Sequence, residues 1–413
     1  MTSFFNSNFF KQNRKKLQET LGNDTPIIIT ANGSMQRAAD EPFKFVQDSN
    51  FWYLTGLNTA DLVLVLTKQE SYLIAPVLTL ERQVFDGAYD IDELKTRSGI
   101  TEIVDERTGW RRIKQLLQQT HTIATLQASP SYLPRHRLHT LPYRRRLIAK
   151  LKRLQPGVTI RDIRMELARM RSVKQPAEVQ ALQHAIDITT ATLQAATKPA
   201  TLQLAQHEYE LEAAISHGFR SRGAEGHAFE PIVGAGAHGT TLHHINNEGP
   251  IRDNDMIVLD VGAGVEHYAA DITRTVCKQP LSGRQSDVFQ AVIAVQDYAL
   301  SLLKPGVILH EYEAAVAKYM GTQLQQLGLI STNTPDQVHR YFPHATSHFL
   351  GLDTHDAGDY SQPLATNMII TCEPGIYIPE EGLGVRIEDD VLITNTGCKV
   401  LSSACPRLLG LVQ

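Results

Sequence analysis

Four carboxylates in the C-terminal part of the chain, Asp260, Asp271, Glu373 and Glu388, stand with His348 in local contexts rich in apolar and β-branched residues. The contexts read LDVGAGVEHYAADITRT, HATSHFLGLDTHDAG, TCEPGIYIP and VRIEDDVLIT. Oxygen-rich ligation with one imidazole is the set expected for two divalent ions that share bridging oxygens. Metal-assisted hydrolysis is the chemistry it implies.

Each group alone has a plainer role. Asp260 closes the apolar run Met256-Ile257-Val258-Leu259, and Asp271 follows eleven positions later. A hairpin turning at Gly262 and Gly264 and returning through Tyr268-Ala269-Ala270 would let the two carboxylates meet across adjacent strands. One aspartate at a strand end is more often a turn cap. Two in apolar surroundings repel and need a counter-charge, which a metal supplies. Glu373 ends the run Met368 to Cys372, where an unpaired charge is costly. Alternation around Glu388 puts it on one strand face with Arg386, and Val385 with Asp389 on the other. An acidic turn at Glu388-Asp389-Asp390 is the alternative. His344, His348 and His355 fall within twelve positions, a density that argues against ordinary core histidines.

Such groups need rigid elements to hold them. The 413 residues, with a formal net charge of −4, suit two domains. In the first, Ile27–Thr30, Leu62–Leu66, Ser71–Ala75 and Ile123–Leu126 read as strands, the second and third as a hairpin. Trp110–Gln119 reads as a helix. The N-terminal stretch reads as a short amphipathic helix with Phe5, Phe9 or Phe10, and Leu17 on one side. Strands with intervening helices predict an α/β layer domain over residues 1–172. The boundary falls near Arg171 to Pro176, since Pro176 suits a first helical turn and Glu178 its positive end. Leu182, Ile186 and Leu193 continue that helix. Residues 173–413 form the second domain, which mixes helices with antiparallel strands, so the chain as a whole is α+β. Val288 to Leu302, stopped by Pro305-Gly306, and Tyr312 to Leu327 are its expected helices. Ile257-Val258-Leu259 and Val391-Leu392-Ile393 are expected strands.

Several classes are disfavoured. No apolar run is long enough to cross a bilayer, so no membrane association is expected. The N-terminus lacks a secretory core, and Cys277, Cys372, Cys398 and Cys405 show no paired spacing. A reduced, cytoplasmic setting follows. The basic stretch Arg135 to Arg153 raises a nucleic-acid partner, but the chain is slightly acidic and the stretch has only Tyr143 for stacking. A solvated helix face is the expectation, with no nucleic acid bound.

The motifs closely resemble the aminopeptidase P branch of the pita-bread metallopeptidases, which also include prolidase, methionine aminopeptidase and creatinase. The likeness covers nearly the whole chain. All five ligand contexts occur in order, and the segment from Arg37-Ala38-Ala39-Asp40 to Phe51-Trp52-Tyr53-Leu54-Thr55-Gly56 resembles the N-terminal domain of aminopeptidases P. The resemblance selects His348 among the three histidines. It implies a pita-bread catalytic domain and a dinuclear centre, most often of Mn²⁺. In it Asp260 binds one ion with both oxygens, Asp271 and Glu388 bridge the pair, and His348 and Glu373 complete the shells. It further implies hydrolysis by a hydroxide bridging the ions, with Glu373 as proton shuttle and His355 polarising the scissile carbonyl. His243, in Thr241-Leu242-His243-His244, would line the cleft, and His243, His344, Tyr377 and Arg386 would receive the proline ring. The implied substrates are peptides with an Xaa-Pro N-terminus, and the implied assembly is a homodimer or homotetramer. Relatives often carry a Trp in a WDG-like motif at a subunit contact, where this chain reads Val84-Phe85-Asp86-Gly87 and loses the indole donor.

Xaa-Pro aminopeptidase is therefore the expected activity, with Xaa-Pro dipeptidase as the alternative. The N-terminal domain favours the former and disfavours methionine aminopeptidase. The intact ligand positions disfavour metal-free creatinase and an inactive peptide-binding relative.

Overall fold

The structure, a computed structural model, describes residues 3–127, 133 and 138–409. Cα packing divides the chain into two units, Met1–Ala168 and Arg169–Gln413. The division falls inside the helix Arg164–Ser172, whose end is the boundary expected from sequence.

The first unit is built on a six-stranded sheet. Its order is Glu102–Asp105, Ser71–Ala75, Val63–Leu66, Ile27–Thr30, Thr122–Thr125, Thr159–Asp162. Val63–Leu66 runs antiparallel to both neighbours, with Ile28 opposite Val65 and Leu64 opposite Leu73, and the outer pairings are parallel. The central runs VLVL and III are buried along their length, as short β-branched runs covered on both faces must be. The expected helix at Trp110 starts earlier, at Glu106, because Asp105 caps it by accepting from Thr108 N at 2.9 Å. The N-terminal helix is Ser7–Leu21, capped by Asn6. Phe9 and Phe10 are both buried rather than one of them, since Phe5 precedes the helix and the three rings form one cluster with Trp52.

Within the basic stretch, Tyr143–Leu154 is a helix with Leu147 and Leu151 buried. Arg144 pairs with Asp48 at 2.5 Å, and Lys150 lies 3.6 Å from the Trp110 ring centroid. Residues 134–137, with Arg135 and Arg137, lie outside the described residues. The helix Leu80–Asp86 buries none of its residues, and Leu80, Val84 and Phe85 are each 81% exposed.

The second unit packs helices on antiparallel strands. Helix Gly283–Leu302, opened by a Ser282–Gln285 capping box, buries Val288, Val292, Val295 and Ala299 against Tyr312, Val316 and Met320 of helix Leu309–Gln326. Ile370, Ile376, Val385 and Val391 of the strands complete that core. Helix Pro176–Ala196 starts as expected, but Glu178 is more than a dipole partner. It is buried, and accepts from Gln175 N and the Tyr268 hydroxyl, both at 2.9 Å.

Strand Met256–Val261 lies between Ile232–Ala235 and Ile272–Cys277, antiparallel to both. The expected turn at Gly262 and Gly264 is not there. The chain continues through Ala263–Val265 and turns at Glu266 and His267, both in the left-handed region at φ 44° and 68°. Gly262 instead allows close approach: a Cβ there would lie 1.7 Å from the Ala270 carbonyl oxygen.

Candidate metal centre

Two neighbouring strands deliver the aspartates. Asp260 is paired with Thr273 in the antiparallel register, and Asp271 sits one residue before the strand Ile272–Cys277. Strand Ile369–Cys372 ends at Glu373. Strands Leu383–Arg386 and Asp389–Ile393 flank Ile387-Glu388, so Glu388 sits at a strand junction rather than mid-strand. Glu388, Asp389 and Asp390 are all buried, which removes the reading as a solvated acidic turn. Arg386 and Glu388 do share a face: both bond the Thr273 hydroxyl, which donates to Glu388 Oε2 at 2.6 Å and accepts from Arg386 Nε at 3.1 Å.

Ligand atoms of Asp271, His348 and Glu388 lie within 4.8 Å of one another. His348 Nε2 is 3.5 Å from Asp271 Oδ2 and 3.4 Å from Glu373 Oε1. Its other nitrogen, Nδ1, is 3.0 Å from the Phe349 carbonyl, which fixes the proton there and aims the Nε2 lone pair at the carboxylates. Asp260 lines the same cavity, and its Oδ2 meets Arg386 Nη2 at 2.6 Å. Part of the expected counter-charge thus comes from the chain itself.

One arginine does not neutralise four carboxylates. Burial and the neighbouring charges of Asp260, Asp390 and Glu373 push Asp271 well above the ordinary carboxylate range. Burial and Asp271 do the same to Glu388. Burial lifts Glu373 to about 7 against the pull of His348 and Arg386. Asp260 Oδ1 and Glu388 Oε1 are buried with no hydrogen-bond partner. Buried carboxylate oxygens without donors, facing an imidazole lone pair, fit divalent cations of the hard-to-borderline kind.

The cavity in front of them measures about 560 Å³. His243, His344, His355 and Arg386 line it together with all five candidate ligands. His355 meets His348 edge-on, with ring centroids 4.4 Å apart. Tyr377 stands behind the wall. Arg386 Nη1 donates to its hydroxyl at 2.9 Å, and that hydroxyl donates to His344 Nε2 at 2.8 Å. His344 Nδ1 bonds the Ala345 carbonyl at 2.8 Å, and burial with the Arg386 charge lowers its pKa to about 3. His344 is therefore a neutral ring with both nitrogens engaged. A larger hollow of about 810 Å³ borders helix Leu309–Gln326 and shares His344 and Ala345, but no candidate ligand lines it.

Sequence reading missed several supports. Thr273 is one; two-residue alternation from Asp271 points to it. Asp390 Oδ2 accepts from Asp271 N at 3.2 Å. Glu313 accepts from Thr346 N at 2.7 Å and Ser347 N at 3.0 Å, holding the segment that carries His344 and His348. No local motif marks Glu313. Phe229, Leu242 and Ile245 supply apolar wall, again without a local signature.

Residues 180–395 match metallopeptidase family M24, and residues 10–145 match the aminopeptidase P N-terminal domain. The chain is 31% identical to the Xaa-Pro aminopeptidase of Escherichia coli, over 96% of this chain and 94% of that one. It is 30% identical to human Xaa-Pro aminopeptidase 3, over 95% of this chain and 81% of that one. Among solved structures, E. coli aminopeptidase P in a low-pH form superposes with a TM-score of 0.86 at 29% identity, covering 98% of this chain and 96% of that one. A variant of that enzyme in complex with substrate gives 0.85 at 28% identity, over the same shares. The expected two-domain α+β fold with a pita-bread catalytic domain is the one these likenesses establish.

Proposed function

The chain belongs to the M24 metallopeptidases of the aminopeptidase P branch, and from that premise we propose that it is a Xaa-Pro aminopeptidase, releasing the N-terminal residue from peptides with proline second. The observation that carries this reading is the joining of Asp260, Asp271, His348, Glu373 and Glu388 to His243, His344, His355 and Arg386 in one cavity.

Two divalent ions, when bound, supply an activated water and an electrophile for the scissile carbonyl. The five ligands would hold them. We take the ions to be Mn²⁺, which the oxygen-rich donor set suits. Glu373, between His348 and His344, takes up the proton of the attacking water and passes it to the leaving proline nitrogen. His355 donates to the carbonyl oxygen as charge develops there. Neutral His344, held by Tyr377, offers a flat surface for the proline ring without a charge to desolvate, and the ring of His243 lines the same cavity.

The four cysteines are free thiols, three of them buried, in keeping with a reducing, cytoplasmic setting. Among the described residues no helix is long and apolar enough to cross a membrane. The exposed Leu80, Val84 and Phe85 support a homodimer or homotetramer in which a second copy covers that helix.

A panel of synthetic peptides tests the activity. With Mn²⁺ present, a Xaa-Pro tripeptide and a longer Xaa-Pro peptide should each release one free amino acid, while a matched Xaa-Ala peptide is left intact. Cleavage confined to the Xaa-Pro dipeptide would replace this reading with a dipeptidase.

A further inference from the structure

A second cluster of ligand-type side chains lies outside the metal centre. Glu208, His238 and His244 bring ligand atoms within 4.8 Å of one another. Hydrogen bonding accounts for this cluster without a cation. Glu208 Oε1 accepts from Ala235 N at 2.8 Å and from His238 Nδ1 at 2.9 Å. Oε2 accepts from Gly249 N at 2.7 Å and from His244 Nε2 at 2.9 Å. All four acceptor sites of the carboxylate are in use. Burial pushes its pKa up, but these bonds outweigh burial and hold it below the ordinary range. The group is a buried, fully satisfied anion.

Its four partners bracket one loop, residues 236–249: Ala235 ends the strand before it, and His238, His244 and Gly249 lie within it. That loop carries Leu242, His243 and Ile245 to the cavity wall. His243 is the immediate neighbour of clamped His244. One helical turn further on the same helix, Glu208–Ser221, Glu212 accepts from Asn247 Nδ2 at 3.0 Å. Asn247, at φ 51°, also accepts from Val233 N at 2.9 Å through Oδ1. Gly249 is part of the fit, since a Cβ there would lie 2.5 Å from His238 Cε1 and 2.9 Å from Glu208 Oε2.

We propose that Glu208 is a positioning residue that sets His243 by clamping the 236–249 loop, and that use of proline at the second substrate position depends on it. The kinetic half rests on the function proposed above; the clamp itself does not.

The test uses the full metal-loaded chain with Glu208→Ala and the isosteric Glu208→Gln. Gln keeps one acceptor oxygen but turns an amide donor towards a backbone N–H, so it loosens the loop without emptying the site. Hydrogen exchange of residues 236–249 should speed up in both variants, with metal content equal to wild type. On a Xaa-Pro tripeptide, kcat/KM should fall by roughly 10²-fold in Glu208→Ala, as misplacement of a contacting group predicts, and by less in Glu208→Gln. In a His243→Ala background, Glu208→Ala should change nothing further, because it acts through His243. Should Glu208→Ala not fold, Glu208→Gln alone carries the same comparisons. Unchanged exchange, a loss of metal, or effects that multiply in the double variant would each overturn the proposal. A wild type that does not cleave Xaa-Pro peptides contradicts the function instead, and the exchange result still decides the clamp.

Discussion

Thr273 shows how much a single hydroxyl arranges at this site. It donates to Glu388 and accepts from Arg386, and Arg386 in turn holds Asp260 and Tyr377. One side chain thereby orients two candidate ligands, Glu388 directly and Asp260 through Arg386. Thr273→Val keeps the shape and removes both bonds. It should cost about 1–3 kcal/mol of stability, since buried acceptors and donors lose partners. Metal affinity should fall about 10- to 100-fold, as loss of a group supporting a ligand does. Urea unfolding and metal titration of the variant read the two effects separately. Asp260 and Glu373 were legible as residues because each closes an apolar run, where a lone charge is too costly to be incidental, whereas His348 was picked out only by the family resemblance. The pairing of Arg386 with Asp260 was not legible, because 126 positions separate the partners.

Elements built from local rules were largely legible. The buried runs at Ile27 and Val63 and the helix opened at Pro176 follow from β-branched content and capping chemistry, whereas the helix expected from Val288 opens earlier, at Gly283, because Ser282 and Gln285 cap it. The connection from Asp260 to Asp271 was misread because propensity places turns at glycine, whereas here Glu266 and His267 adopt positive φ and Gly262 answers a steric demand. The strand junction at Glu388 escaped for a similar reason: β-forming residues flank it without a break. Gly262→Ala is the direct check. Its Cβ would press on the Ala270 carbonyl, one residue before Asp271. Overpacking of this kind should cost about 1–3 kcal/mol and displace Asp271. Thermal unfolding should register the loss, and metal affinity should drop with it. An unchanged melting temperature would show that the approach of the two segments is not close.

At the scale of the molecule, two units divide the work described. The first offers a sheet with a buried centre and an exposed apolar helix with Phe85; the second holds the ligands, the cavity and the loop anchored by Glu208. Family membership was legible from motif order along the whole chain, whereas the supports at Glu313, Asp390 and Glu208 depend on contacts that no short motif encodes. In the function proposed above, the buried carboxylates hold metal and hydrolysis requires it. The most direct measurement strips the protein with chelator and titrates Mn²⁺ back while following release of the first residue from a Xaa-Pro tripeptide. Activity should be absent in the stripped protein and should rise to saturation at two equivalents per chain. Full turnover by protein shown to be metal-free would rule out a metal-dependent hydrolysis.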